Sequence, residues 1–348
     1  MANAVVLVSD RKFLAPTIGT ALAARTHISN QSVAIFILVT NSTEDELADV
    51  GRVVADKSIF LKSVPIGEIA KIKQGEFNKT HVPVATMARL WIADYLDPQY
   101  DKFLYLDGDV DITSSLDPLF RLDLPKNGFL AAPDLPMLIA RDYGASARLT
   151  RDYLSGLGIT NHDDYFNAGV LLVDRAGWKE ISSEAWAYFK CHSDRCLYHD
   201  QSALNAVAKH RRGPLSLLWN YQSDFMAVAD PRKWGLEPAI WHFTGFPKAW
   251  HAPVFPWERN FGRSFALGAS LLRETGWFDD FPDSAAIALG IEQREKLRFR
   301  LKWIYPWRRF LRARKIYWAL THSLQTTDKS LSNSEACTLE KLQHHNAI

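Results

Sequence analysis

Two aspartates, Asp107 and Asp109, flank Gly108 at the end of the apolar run Phe103-Leu104-Tyr105-Leu106. On extended backbone, residues two apart project to the same side, so both carboxylates point one way. Paired hard oxygen donors suit Mn²⁺ or Mg²⁺, which can also take diphosphate oxygens. Without a cation the pair would repel a diphosphate; with one it becomes a clamp. Gly108 leaves room for backbone or ligand to approach. The competing reading is a solvated acidic turn, and Asp111 leaves the ligand assignment within the cluster open.

A second group is Trp241-His242-Phe243-Thr244-Gly245-Phe246-Pro247-Lys248. A neutral imidazole at a strand end adds a nitrogen ligand and favours Mn²⁺ over Mg²⁺. Gly245 opens space for backbone beside a phosphate, and Lys248 supplies a point charge for its oxygens. Read alone, His242 is more simply a buried, satisfied core histidine. A third group joins His199-Asp200-Gln201 to Asn167-Ala168-Gly169. Their amides and carboxylates offer the donors and acceptors that sugar hydroxyls need. Asp200 also reads as a helix N-cap, and Asn167 as a turn residue.

The elements that must carry these groups alternate. Strands are expected at Ala4–Val8, Val33–Val39, Ile59–Val64, Lys102–Leu106, Phe166–Val173 and Ala239–Phe243. Helices are expected at Leu14–Arg25, Ser42–Val50, Val84–Leu96, Trp178–Cys191 and Asp200–Lys209. That rhythm predicts an α/β fold with parallel strands joined by crossover helices. Such sheets bind ligands beyond the carboxyl ends of their strands, here Ser9-Asp10 and Asp107-Gly108-Asp109. Neither G-x-G-x-x-G nor a phosphate-loop motif is present.

The 348 residues are 47% hydrophobic and 23% charged, ordinary for a globular chain, and the net charge of +2 selects no partner. Three cysteines, Cys191, Cys196 and Cys337, form no disulfide framework. Cys191-His192-x3-Cys196-x2-His199 matches no common zinc spacing. The N-terminus lacks a signal-peptide pattern, no run is long enough to span a bilayer, and a cytoplasmic location is expected.

Taken in order, the motifs resemble glycosyltransferase family 8, particularly its bacterial lipopolysaccharide galactosyl- and glucosyltransferases. The matching segments are Thr86-Met87-Ala88-Arg89-Leu90, Leu104–Val110, Tyr165–Leu172, His199–Asn205 and His242-Phe243-x-Gly245-x2-Lys248-x-Trp250, within a resemblance running from about residue 4 to 255. It implies a nucleotide-diphosphosugar (GT-A) fold, a Rossmann-like mixed sheet with helices on both faces. It also implies Mn²⁺, with Mg²⁺ as the alternative, a UDP-sugar donor, a glycan or glycolipid acceptor, and retention of configuration. By the same resemblance Asp107, Asp109 and His242 hold the metal. Ser9, Asp10, Gly108, Gly245 and Lys248 contact the nucleotide. Arg89, Asp134, Asn167, Ala168, Asp200 and Gln201 line the donor sugar, and His81 lies near the acceptor. The chain departs from the pattern at Arg11-Lys12 after Asp10, and at Ala249 where a proline is usual. Gln201 is a weakly basic amide and a poor nucleophile. A same-face displacement, with Asp200 and Gln201 as catalytic groups, is the expected mechanism. A catalytically silent binding protein of the same fold and a glycogenin-like self-glucosylating protein are the alternatives.

Between Arg294 and Lys315 ten basic residues face the single acid Glu295, interleaved with Phe299, Trp303, Tyr305, Trp307 and Phe310. Basic charge with interfacial aromatics describes a segment lying in an anionic membrane surface, here residues 294–318, on the inner face of the cell membrane. Packing of the aromatics onto the core is the competing reading. Nucleic acid is not expected as a partner. The expected organisation is a catalytic domain over 1–265, a basic aromatic helical segment over 266–325 with a break at Pro306, and a polar tail over 326–348.

Overall fold

The computed structural model describes residues 2–65, 84–251, 263–277 and 284–328. Seven strands form the main sheet in the order β3-β2-β1-β4-β7-β6-β8. They are β1 (Ala2–Ser9), β2 (Ala34–Thr40), β3 (Ile59–Val64), β4 (Tyr100–Leu106), β6 (Phe129–Pro133), β7 (Phe166–Asp174) and β8 (Arg212–Pro214). A second sheet has the order β5-β10-β9, from β5 (Val110–Ile112), β9 (Tyr221–Gln222) and β10 (Ile240–His242).

β1 to β4 are mutually parallel where they pair, as the strand–helix rhythm predicts. β7 is antiparallel to both β4 and β6, which makes the sheet mixed. Its central strands carry near-continuous apolar runs because helices cover both faces. One layer of core contains Val5, Leu7, Ile35 and Leu104, the other Val6, Phe36, Phe103 and Trp178. Alternate residues of one strand thus serve opposite layers.

The helix Leu14–Thr26 covers one face, and Arg263–Thr275 packs on it. A β-carbon on Gly19 would lie 2.1 Å from the Ser264 carbonyl, so glycine is what allows that approach. The helix Arg263–Thr275 crosses the expected boundary at 265/266 and buries Ala269 and Leu272 in the first core layer. Thr43 caps Glu44–Ala55 through a capping box with Glu46, starting that helix two residues later than expected.

Two expectations are corrected. Val84–Trp91 is a 3₁₀ segment, followed by one α-turn, Ile92–Tyr95. The Thr86 and Arg89 carbonyls there accept from Arg89 Nε and Trp178 Nε1, each at 3.2 Å, which draws them out of a regular α ladder. The helix His199–Ala208 has Tyr198, not Asp200, at its N-cap. Asp200 sits in the first turn with its carboxylate turned to Arg89 and Thr86, so it is not free to cap.

In the C-terminal region the helix Ser284–Phe299 leads through Arg300–Ile304 into Pro306–Asp328, and Pro306 marks the break as expected. Leu301, Ile316 and Leu320 are buried with Tyr221, Trp241 and Phe243 against the second sheet. Arg294 pairs with Asp224 at 2.7 Å, and Arg312 and Lys315 both reach Asp142 at 2.8 Å. Part of the basic stretch therefore fastens the tail to the body. Trp303 (65% exposed), Trp307 (54%) and Phe310 (67%) remain on the surface. No described helix is long and apolar enough to cross a membrane.

Candidate active site

The site lies where β4 ends. β7 enters antiparallel beside that end, pairing Val170 with Leu106, and the Asp107 amide donates to the Gly169 carbonyl at 2.8 Å. This places Asn167-Ala168-Gly169 against Asp107-Gly108-Asp109. The chain then turns into β5, which pairs antiparallel with β10 and sets His242 opposite Val110. The Phe243 amide donates to the Asp109 carbonyl at 2.9 Å. Residues far apart in sequence thus converge through backbone ladders.

His242 Nε2 lies 3.3 Å from Asp109 Oδ1 and 3.6 Å from Asp107 Oδ2. Ligand atoms of Asp107, Asp109 and His242 all fall within 4.8 Å of one another, the one such group of metal-ligating side chains among the described residues. The Cys191/Cys196 segment forms none. His242 and Asp109 are buried, whereas the Asp107 side chain keeps 22% of its surface open. His242 Nδ1 meets Asn220 Oδ1 at 2.9 Å, and an amide oxygen can only accept. The proton of the neutral ring is therefore on Nδ1, and the lone pair on Nε2 faces two carboxylates. That arrangement repels itself without a cation between its members, so the residues fit a divalent ion with mixed oxygen and nitrogen ligands.

Gly169 makes this possible. A β-carbon there would lie 2.2 Å from His242 Cε1 and 2.7 Å from Asp107 Oδ2. Gly108 permits a second close approach. Its β-carbon would meet Thr17 Oγ1 at 2.2 Å, so it admits the helix Leu14–Thr26. Asp111 accepts from Ser264 at 3.1 Å and is not among the clustered ligand atoms.

Cations crowd the carboxylates. Lys248 Nζ lies 2.6 Å from Asp109 Oδ2 and also donates to the Phe243 carbonyl. Burial would raise the Asp109 carboxyl, but the Lys248 ammonium beside it holds it well below the usual range. Arg89 is buried between acids, 2.6 Å from Asp200 Oδ2 and 3.2 Å from Asp107 Oδ1, and donates to the Ala168 carbonyl at 2.6 Å. Burial would lower its guanidinium, yet Asp107 and Asp200 hold it above its ordinary value. Asp200 is pushed up by burial and by Asp107, against the opposing pull of Arg89. Tyr105 Oη donates to Asp107 Oδ1 at 2.5 Å.

Gln201 and Asn205 dock their helix on β7. The Ala168 amide donates to Gln201 Oε1 at 2.9 Å, and Asn205 brackets Phe166 through its amide and carbonyl at 2.8 and 2.9 Å. Both backbone polar groups of Ala168 are thereby taken. Asp134 accepts from Asn167 and Gln222, each at 3.0 Å, and burial raises its carboxyl to about 6 despite those bonds. Ser9 and Asp10 lie at the end of β1, the strand beside β4; the Asp10 carboxylate accepts from the Phe13 amide at 2.8 Å. A β-carbon on Gly245 would strike Asp224 and Arg294, which tie the loop to the tail. His81 lies outside the described residues.

Sequence reasoning missed Asn220, Gln222, Asn205 and Tyr105. Tyr105 carried a signal, being two residues before Asp107 on the same strand face, and Asn205 closes the matching segment His199–Asn205; Asn220 and Gln222 are common residue types without a motif.

The family model described as Glycosyl transferase family 8 matches residues 4–253. Among curated proteins, glycosyltransferase GlyA of Streptococcus pneumoniae is 31% identical over 204 residues, covering 58% of this chain and 24% of that protein. The lipopolysaccharide 1,2-glucosyltransferase of Escherichia coli is 26% identical over 182 residues, 49% of this chain and 50% of that one. The chain spans 24%, 29% and 61% of the length of the first curated relatives it matches. Among solved structures, galactosyltransferase LgtC in complex with donor and acceptor sugar analogs aligns with a TM-score of 0.60 at 24% identity, over 80% of this chain and 98% of that one. That likeness is one of fold.

Proposed function

The chain belongs to glycosyltransferase family 8, and from that premise we propose that it moves a hexose, galactose or glucose, from a UDP-sugar to a glycan or glycolipid acceptor with retention of configuration. The observation that carries this reading is the convergence of His242 Nε2 on the Asp107 and Asp109 carboxylates, a ligand set for a divalent cation that a diphosphate can share. Mn²⁺ is the ion proposed, since one donor is an imidazole nitrogen. Held by Asp107, Asp109 and His242, it would supply Lewis-acid stabilisation of the leaving diphosphate.

The chain's own groups do the rest. Lys248, beside the metal carboxylate, can turn its ammonium to the β-phosphate oxygen on which charge grows as the glycosidic bond breaks. Arg89 holds Asp107 and Asp200 in fixed relative positions. Asp200 and Gln201 support the sugar as positive charge develops at its anomeric carbon. The acceptor hydroxyl oxygen forms the new bond to that carbon on the face the diphosphate leaves. The old bond's electron pair stays on the departing UDP oxygen, which takes the hydroxyl proton. The Gln201 amide oxygen already accepts the Ala168 N–H, which favours this same-face route over a covalent glycosyl-enzyme.

Acceptor assembly on lipopolysaccharide or surface polysaccharide is the proposed setting, supported by the likeness to the Escherichia coli glucosyltransferase. Exposed Trp303, Trp307 and Phe310, interleaved with the basic residues Lys302, Arg308 and Arg309, support peripheral docking on an anionic inner membrane face. A panel of UDP-sugars with Mn²⁺, with and without EDTA and scored by UDP release, tests the activity. Release from one UDP-hexose that EDTA and Asp109→Ala both abolish is expected; release unaffected by either would refute the metal assignment.

A further inference from the structure

The Gly169 amide is a donor that cannot turn over, and it points at Asn167 Oδ1 at 3.0 Å. That contact fixes which end of the Asn167 amide is oxygen, and the nitrogen end donates to Asp134 Oδ1 at 3.0 Å. Asn220 approaches the same Asn167 oxygen at 2.9 Å, so the group it presents there must be its NH₂. Its own oxygen is then left facing His242 Nδ1 at 2.9 Å. Asn167, Asn220 and His242 are all buried, so water does not replace these partners.

We propose that Asn220 is a positioning residue which, held by the relay from the Gly169 amide through Asn167, keeps His242 in the Nδ1–H tautomer and so presents Nε2 to the cation. The inference rests on the metal-centre reading above. Were the Asn220 amide reversed or absent, the ring proton could move to Nε2 and donate to Asp109 Oδ1, 3.3 Å away. An N–H would then fill the place of the metal, and the ligand set would fall from three to two. Hydrogen bonds behind a metal-bound imidazole set both its tautomer and its basicity, and losing one weakens binding by roughly 10–100-fold. Gln222 steadies the far end by donating to Asp134 Oδ1.

The test is an electron paramagnetic resonance titration of free Mn²⁺ with the full chain and UDP present. It compares the wild type, Asn220→Leu and Asn220→Asp, with Asp109→Ala as the blank. Circular dichroism and a metal-free thermal midpoint check each fold. Asn220→Leu has no acceptor for Nδ1–H and is expected to bind Mn²⁺ about 10–100-fold more weakly. Asn220→Asp keeps an acceptor for Nδ1–H but loses the donor to Asn167 Oδ1, and is expected to weaken Mn²⁺ binding less than Asn220→Leu does. If Asn220→Leu does not fold, Asn220→Ala, too short to reach Nδ1, carries the same comparison. Leucine or alanine variants that bind Mn²⁺ like the wild type would overturn the relay, as would an aspartate variant that loses as much as leucine. A wild type no better than the Asp109→Ala blank would instead overturn the metal centre itself, and the relay with it.

Discussion

Lys248 Nζ stands 2.6 Å from Asp109 Oδ2, on the same carboxylate whose other oxygen faces His242 Nε2 at 3.3 Å. An internal ammonium thus neutralises a ligand that a metal would also claim, and a diphosphate arriving with its cation gives that ammonium a second partner. Lys248→Met should therefore bind Mn²⁺ more tightly than wild type when UDP is absent. Its turnover should fall by roughly 10²–10³-fold, the range for deleting one stabilising donor at a developing anion. Metal titration and UDP release on the same preparation check both halves.

Gly169→Ala is expected to disable the site with little change elsewhere. Its methyl would sit 2.2 Å from the His242 ring and 2.7 Å from Asp107, and such overpacking costs about 1–3 kcal/mol. The ligands would be driven apart, so Mn²⁺ binding should be lost while circular dichroism is retained.

Arg89→Met should be strongly destabilising. It leaves Asp107 and Asp200 facing one another without the buried guanidinium between them, and removing one partner of a buried ion pair costs about 3–5 kcal/mol. Arg89→Lys should recover little, because an ammonium cannot reach Asp107, Asp200 and the Ala168 carbonyl together. Urea unfolding of both variants is the measurement.

Asp134 makes stability depend on pH. Its carboxyl titrates at about 6 in the folded chain against an ordinary 3.8. A group that holds its proton more tightly when folded contributes stability fully present below its unfolded value and lost as pH rises through its folded one. The stability of the wild type relative to Asp134→Asn should therefore fall between about pH 4 and 7, by up to about 3 kcal/mol. Urea midpoints at those two pH values would show it; a difference constant with pH would refute the assignment.

The surface aromatics separate docking from chemistry. Trp303→Ala with Phe310→Ala removes two exposed side chains from the tail. It should reduce co-sedimentation with anionic vesicles several-fold and leave UDP release in free solution unchanged.

How much of this was legible beforehand depends on how locally each feature is encoded. Asp107 and Asp109 could be read as a convergent pair because side-chain parity along a strand is a property of three consecutive residues. The strand–helix rhythm likewise reported the parallel half of the sheet, and Pro306 the break in the tail, from hydrophobic period and backbone chemistry alone. The ordered motifs were enough to indicate the family, and that resemblance chose the ligand reading of His242 over that of a buried core histidine. Which residues meet across the fold was another matter. That Asp111 turns to Ser264, that Gly108 admits a helix while Gly169 admits the imidazole, and that Asn220 meets Asn167 across 53 residues follow from strand order and register. Those are set by burial of the whole sheet, a sum over both core layers that no short stretch of sequence contains, and so only the tertiary structure could assign each polar group its partner.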